Sequence, residues 1–173
     1  MKLLILATGL LYCVATNAQN SFDTKSYGQK ILDGKIKPGD DKQTYQALDS
    51  LLCKNHVDKI FYFKVANKIQ HLSDGALSEQ VSTILAKYYF NRHSDFIANT
   101  KTISKEDTYK WLYYIAYDLY AENRDGVKGL PAIKTKINNL LDKYTETSVN
   151  DKTLAKKYGD YLYKKAEGFI KGG

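Results

Sequence analysis

The chain has 173 residues, 43% of them hydrophobic and 13% aromatic, and its 26 Lys and Arg outweigh 19 Asp and Glu for a net charge of +7. That length suits one domain with a real hydrophobic core. Two Cys and two Pro among 15 Tyr exclude a disulfide scaffold, a collagen-like chain and a disordered polyelectrolyte.

Residues 1–18 read as a secretory signal peptide. Lys2 supplies the positive start, Leu3 to Val14 an apolar run, and Ala15-Thr16-Asn17-Ala18 the small residues of a cleavage site after Ala18. The run is too short to cross a bilayer as a helix, which takes ~20 apolar residues. Leu10-Leu11-Tyr12-Cys13 has the outline of a lipobox, but bulky Tyr12 stands where a small residue belongs. Cys13 is therefore expected to leave with the signal. The expected location is secreted or periplasmic, with Cys53 as the one thiol retained. A single thiol forms no intramolecular disulfide, and Cys53, set among Tyr45, Leu48, Leu51 and Leu52, is expected to pack as a small hydrophobe.

Residues 19–39, punctuated by Gly28, Gly34, Pro38 and Gly39, read as a loosely structured lead-in. From residue 40 to 173 the pattern is helical. Asp40 or Asp41 caps a first helix to about Lys54, with Tyr45, Leu48 and Leu52 on one face. A second runs from Val57 to Ser73 and stops at Asp74-Gly75. A third covers Leu77 to Asn91, followed by a short helical turn at Ser94–Ala98. Ser104-Lys105-Glu106-Asp107 is close to a capping box, with Asp107 in place of the usual Glu or Gln. The helix it opens, Lys105 to Asn123, is apolar around most of its circumference. Beyond its first turn, Lys110, Asp118 and Glu122 confine the charge to one narrow stripe, so it is expected at the centre of the fold. Two more follow, about Pro131–Glu146 and Asp151–Ile170, Pro131 suiting a first turn. No segment alternates with period two. The expectation is an all-α single domain of six to seven helices in antiparallel hairpins.

A weak internal echo joins Lys59-Ile60-Phe61-Tyr62-Phe63 to Lys110-Trp111-Leu112-Tyr113-Tyr114, and Asp74-Gly75 to Asp125-Gly126, about 50 residues on. A third, Tyr161-Leu162-Tyr163-Lys164, lies further along. This spacing slightly exceeds HEAT and armadillo units and would make a short helical repeat array with a concave face.

Chemistry-bearing motifs are few. Cys53, His56 and Asp58 cluster, but a structural zinc site needs four ligands, usually as two such pairs, so no metal is expected. There is no nucleophile elbow and no phosphate-cradling glycine loop, so no catalytic residue and no cofactor are assigned. Lys64, Lys68 and His71 share one side of a helix and form a candidate anion-binding cluster. Tyr113, Tyr117 and Tyr120 are candidates for a groove that stacks on sugar rings or peptide side chains.

Loss of Lys2 with the signal lowers the net charge by one, and the remaining excess is concentrated near the C-terminus. Lys152, Lys156, Lys157, Lys164, Lys165 and Lys171 there face Asp160 and Glu167. Such a helix attracts anionic partners, and export removes nucleic acid from among them. Contact with a membrane surface through this helix is a further option, given Leu154, Tyr158, Tyr161, Leu162 and Ile170 on its apolar side. The expected function is an exported, non-enzymatic binding protein for another protein or an envelope glycan. The alternative is a small secreted hydrolase of cell-wall or polysaccharide material using paired carboxylates, for which Asp118 and Glu122 are candidates.

Overall fold

The computed structural model describes residues 22–53, 57–123, 129–144 and 148–172. Residues 1–18, read above as a signal peptide and including Cys13, lie outside the described residues, as do His56, Asp125 and Gly126. Those described form eight α-helices and no strand: α1 (Thr24–Leu32), α2 (Lys42–Asp49), α3 (Lys59–Leu72), α4 (Gly75–Asn91), α5 (His93–Thr100), α6 (Lys105–Asn123), α7 (Gly129–Lys143) and α8 (Val149–Gly172).

The lead-in differs from its expectation, because α1 is a well-capped helix. The Asp23 carboxylate accepts from the amides of Lys25 and Ser26, both at 3.0 Å. At the other end Lys35 N–H reaches the Lys30 carbonyl and Gly34 N–H that of Ile31. Gly34 takes φ +70° there, the left-handed residue this C-cap needs. Gly28 reads as a breaker in the sequence, yet in the fold it permits contact. A Cβ on it would come within 3.0 Å of Val65 and 3.2 Å of Phe61, so α1 lies directly against α3.

Asp41 caps α2 by accepting from Thr44 N–H at 2.8 Å. The helix gives way early to a 3-10 turn, Ser50–Leu52. Cys53 follows exposed Asp49 by four residues and shares its outer side, so it is exposed, not packed as expected.

At the centre Trp111 of α6 is fully buried. It stacks on Phe63 of α3 at 4.5 Å and 25°, and meets Tyr88 of α4 and Phe96 of α5 at 6.2 and 5.8 Å. Its indole N–H donates to the Asn67 side-chain oxygen at 2.8 Å. On one side α6 packs chiefly against α4, on the other against α8. The central placement is as expected, but the covering is incomplete: Tyr113 and Tyr117 remain 41% and 38% exposed. The internal echo is not matched in placement. Ile60 is 50% exposed where its counterpart Trp111 is fully buried, and Tyr62 is buried where Tyr113 is exposed.

Three registers fix the directions of the last helices. Tyr109 meets Tyr161, and Tyr113 and Tyr117 meet Phe169, so positions rise together and α6 and α8 run parallel. Lys134 lies over Tyr163 while Ile137 and Leu141 oppose Gly159, so α7 returns antiparallel to α8. Gly159 makes that approach close: a Cβ there would sit 3.0 Å from Ile137 Cγ2 and 3.2 Å from Leu141 Cδ1. Substituting Gly159→Leu should therefore overpack the α7–α8 seam and cost about 1–3 kcal/mol. A urea unfolding midpoint unchanged from the parent would contradict this contact.

Candidate functional site

The parallel run of α6 and α8 builds the most distinctive surface of the molecule. Along α6, Tyr109, Tyr113 and Tyr117 recur every fourth residue and so share one face. Along α8, Lys157, Tyr161, Lys165 and Phe169 do the same. The two rows interlock as a ladder. Tyr109 packs edge-to-face on Tyr161 at 4.9 Å, and Tyr113 and Tyr117 pack on Phe169 at 5.3 and 5.9 Å with planes 84° and 86° apart. Tyr120 joins the far end at 5.8 Å from Phe169. The Lys165 ammonium sits 5.2 Å from the Tyr113 ring centre and 5.8 Å from that of Phe169, within cation–π range.

At its near end the ladder opens into a shallow groove of about 440 Å³, where Tyr109 and Tyr161 meet Lys156, Lys157, Asp160 and Lys164. Among the described residues no ion pair engages these three lysines, whereas Lys171 is tied to Glu167 at 2.7 Å and Lys101 to Asp151 at 2.8 Å. Asp160 is the one carboxylate lining the groove. The buried side of α8, with Ala155, Tyr158, Leu162 and Ala166, faces the core.

The structure brings Tyr113, Tyr117 and Tyr120 together around Phe169, beside the groove and not lining it. Tyr109, Tyr161, Lys165 and Phe169 are additions. The fourfold spacing of Tyr109, Tyr113 and Tyr117 was visible in the sequence, but the pairing with α8 depends on a contact between distant segments. The Lys64–Lys68–His71 cluster is placed differently. Lys64 is exposed and Lys68 half-buried, while His71 bridges to α6. Its Nε2 pairs with Asp107, and the Lys110 ammonium lies 3.1 Å from its Nδ1. The anion that His71 holds is thus the chain's own Asp107. Burial raises the Asp107 carboxyl, but hydrogen bonds from His71, Ser104 and Asn67 outweigh it and lower it overall. In the capping box Ser104 accepts from Asp107 N–H at 3.0 Å, and the side chain at this position reaches across to α3.

The two candidate carboxylates part company. Asp118 is 8% exposed and accepts from the Thr83 hydroxyl of α4 at 2.8 Å. Burial is the chief reason its carboxyl is pushed up, with Glu122 adding to the shift. Glu122 is paired with Lys136 of α7 at 2.7 Å. Among the described residues no group of three or more His, Cys, Asp or Glu is placed to hold a metal ion, and no helix is long and apolar enough to cross a membrane.

No family model, no curated protein and no solved structure matches this chain.

One buried titratable group stands apart from the ladder. His93, 6% exposed, lies edge-to-face between Tyr89 at 4.7 Å and Tyr144 at 4.8 Å. Neither ring nitrogen finds hydrogen-bond geometry among the described residues. Burial lowers its pKa to about 4, weakly opposed by the Tyr89 backbone. The unfolded chain, with an ordinary His, binds the proton first, so stability is full above about pH 6.5 and falls as the pH drops toward 4. The loss amounts to about 3 kcal/mol at one pKa unit per 1.36 kcal/mol. His93→Leu should remove that part of the acid slope. Urea midpoints at pH 7 and pH 4 that decline equally in parent and variant would refute it.

Proposed function

We propose that this is an exported, non-enzymatic binding protein whose recognition face is the Tyr–Lys ladder of α6 and α8, and that residues 1–18 are its signal peptide. The observation that carries this reading is the convergence of Tyr113 and Tyr117, large amphipathic side chains left 41% and 38% exposed, on Phe169 and Lys165 of a distant helix. Tyrosine contributes contact area, a hydroxyl for hydrogen bonding and little conformational entropy to lose, which suits it to binding surfaces. The ring-to-ring packing sets the rows before any partner arrives, reducing the ordering cost of association. The partner class is another protein or an envelope glycan. In support of binding over hydrolysis, the raised carboxyl of Asp118 is buried against Thr83 of α4 and Glu122 is engaged by Lys136, so the pair does not present itself to a bound chain. Two parallel helices suffice for a linear face, without the curvature of a repeat array.

Capture of partners from the protein's own envelope extract tests it. Replacing both Tyr113 and Tyr117 by Ser should lower retention about tenfold, as expected for losing two aromatic contacts of ~0.5–1.5 kcal/mol each. The helical circular dichroism should change little, while the unfolding midpoint falls modestly because both rings also pack on Phe169. Equal retention by parent and double variant would remove the ladder from the recognition face.

A further inference from the structure

The charges beside the ladder point to the chemistry of the partner, and this inference rests on the ladder being the recognition face. We propose that the groove between α6 and α8 binds a linear acidic polysaccharide, a chain of sugar rings bearing carboxylates at regular intervals.

Regularity is the first argument. Both rows repeat every four residues, or ~6 Å along a helix axis, and because the helices are parallel the rungs stay in step from Tyr109 and Tyr161 to Tyr117 and Phe169. Such a face suits a polymer whose own units repeat at comparable intervals, in contrast to the irregular pockets that anchor a folded protein. Charge is the second. Lys156, Lys157 and Lys164 line the groove with no ion pair among the described residues, against the single carboxylate of Asp160, and Lys165 stands over the aromatic rungs. Every cation here is a lysine. Point charges on flexible stems follow a chain of spaced carboxylates, whereas planar two-point recognition of one anion calls for arginine.

Ring geometry separates a sugar chain from a nucleic acid. Base stacking needs open aromatic faces, but here the rings pack edge-to-face on one another at 70° to 86°. What they offer a ligand is edges, hydroxyls and partial faces, which suit sugar hydroxyls and C–H groups. A bilayer fits less well, because Ala155, Tyr158, Leu162 and Ala166 of α8 are spent on the core, and the ladder rings left partly exposed, Tyr113 and Tyr117, are tipped with hydroxyls.

Polygalacturonate titrated into the exported protein at low salt provides the test. Poly-glutamate, neutral dextran, oligothymidylate and vesicles containing phosphatidylserine serve as comparison ligands. Polygalacturonate should bind most tightly, more weakly as salt screens the lysines, and about tenfold more weakly after Lys157→Gln with Lys164→Gln. The charge-matched control, Lys30→Gln with Lys42→Gln on exposed positions of α1 and α2, should bind as the parent does. Equal weakening by the control pair would reduce the effect to net charge and overturn the proposal. So would poly-glutamate, oligothymidylate or vesicles bound as tightly as the polyuronate. Absence of polygalacturonate binding would overturn it too, and if envelope capture through Tyr113 and Tyr117 persisted, the broader binding role would stand with a different partner.

Discussion

Trp111 holds this fold together. Its indole is the surface on which four helices meet: Phe63 of α3 stacks on it, Tyr88 of α4 and Phe96 of α5 lean against it, and Asn67 takes its one N–H. A buried tryptophan must find a partner for that N–H, and Asn67 supplies one from the same helix that supplies the stacking ring. Truncating such a side chain to alanine ordinarily costs about 3–5 kcal/mol, a large share of the stability of any domain this size. Because the side chains of α6 at positions 111, 112, 115, 116 and 119 are buried, the helix has one orientation about its axis. That orientation decides which of its tyrosines face outward.

The Tyr–Lys ladder is a consequence of this central anchoring. With Trp111 turned inward, Tyr109, Tyr113 and Tyr117 fall on the side that α8 reaches, and α8 arrives parallel because α7 intervenes and reverses the chain. Gly159 lets α7 and α8 come close enough for the return, with Ile137 and Leu141 in the space a side chain would need. The lysines of α8 then project on the free side, since its alanines, Leu162 and Tyr158 face the core. A hydrophobic requirement in the middle of the molecule thus sets the spacing of polar groups at its edge.

Much of the helical architecture was legible from period and punctuation. The span Lys105–Asn123 follows from its capping sequence; a break does fall near Asp74-Gly75, but extended Ser73 ends α3 and Gly75 opens α4. Helix α1 was hidden because Gly28 and Gly34 resemble loop residues until one sees that Gly28 sits against Val65 and Phe61, a contact between distant segments. Cys53 was misplaced because apolar neighbours in sequence are not neighbours on a helix: four residues after exposed Asp49, it shares that outer side. At the site, Tyr113, Tyr117 and Tyr120 announced themselves by density on one helix. Phe169 and Lys165 did not, since nothing local says which helix they will face. The burial of Asp118 was likewise hidden: its hydrogen-bond partner, Thr83, lies 35 positions away, and such a partner is what a buried carboxylate needs.

That Trp111 is the only tryptophan in the chain gives the molecule a built-in optical reporter. The indole is fully shielded and ringed by Phe63, Tyr88 and Phe96, so its fluorescence originates from one place, the junction of α3, α4, α5 and α6. Tyrosines across the domain pass excitation energy to it only while the chain is compact. The emission spectrum therefore reads the integrity of the junction directly, without a label and without touching the ladder on the surface.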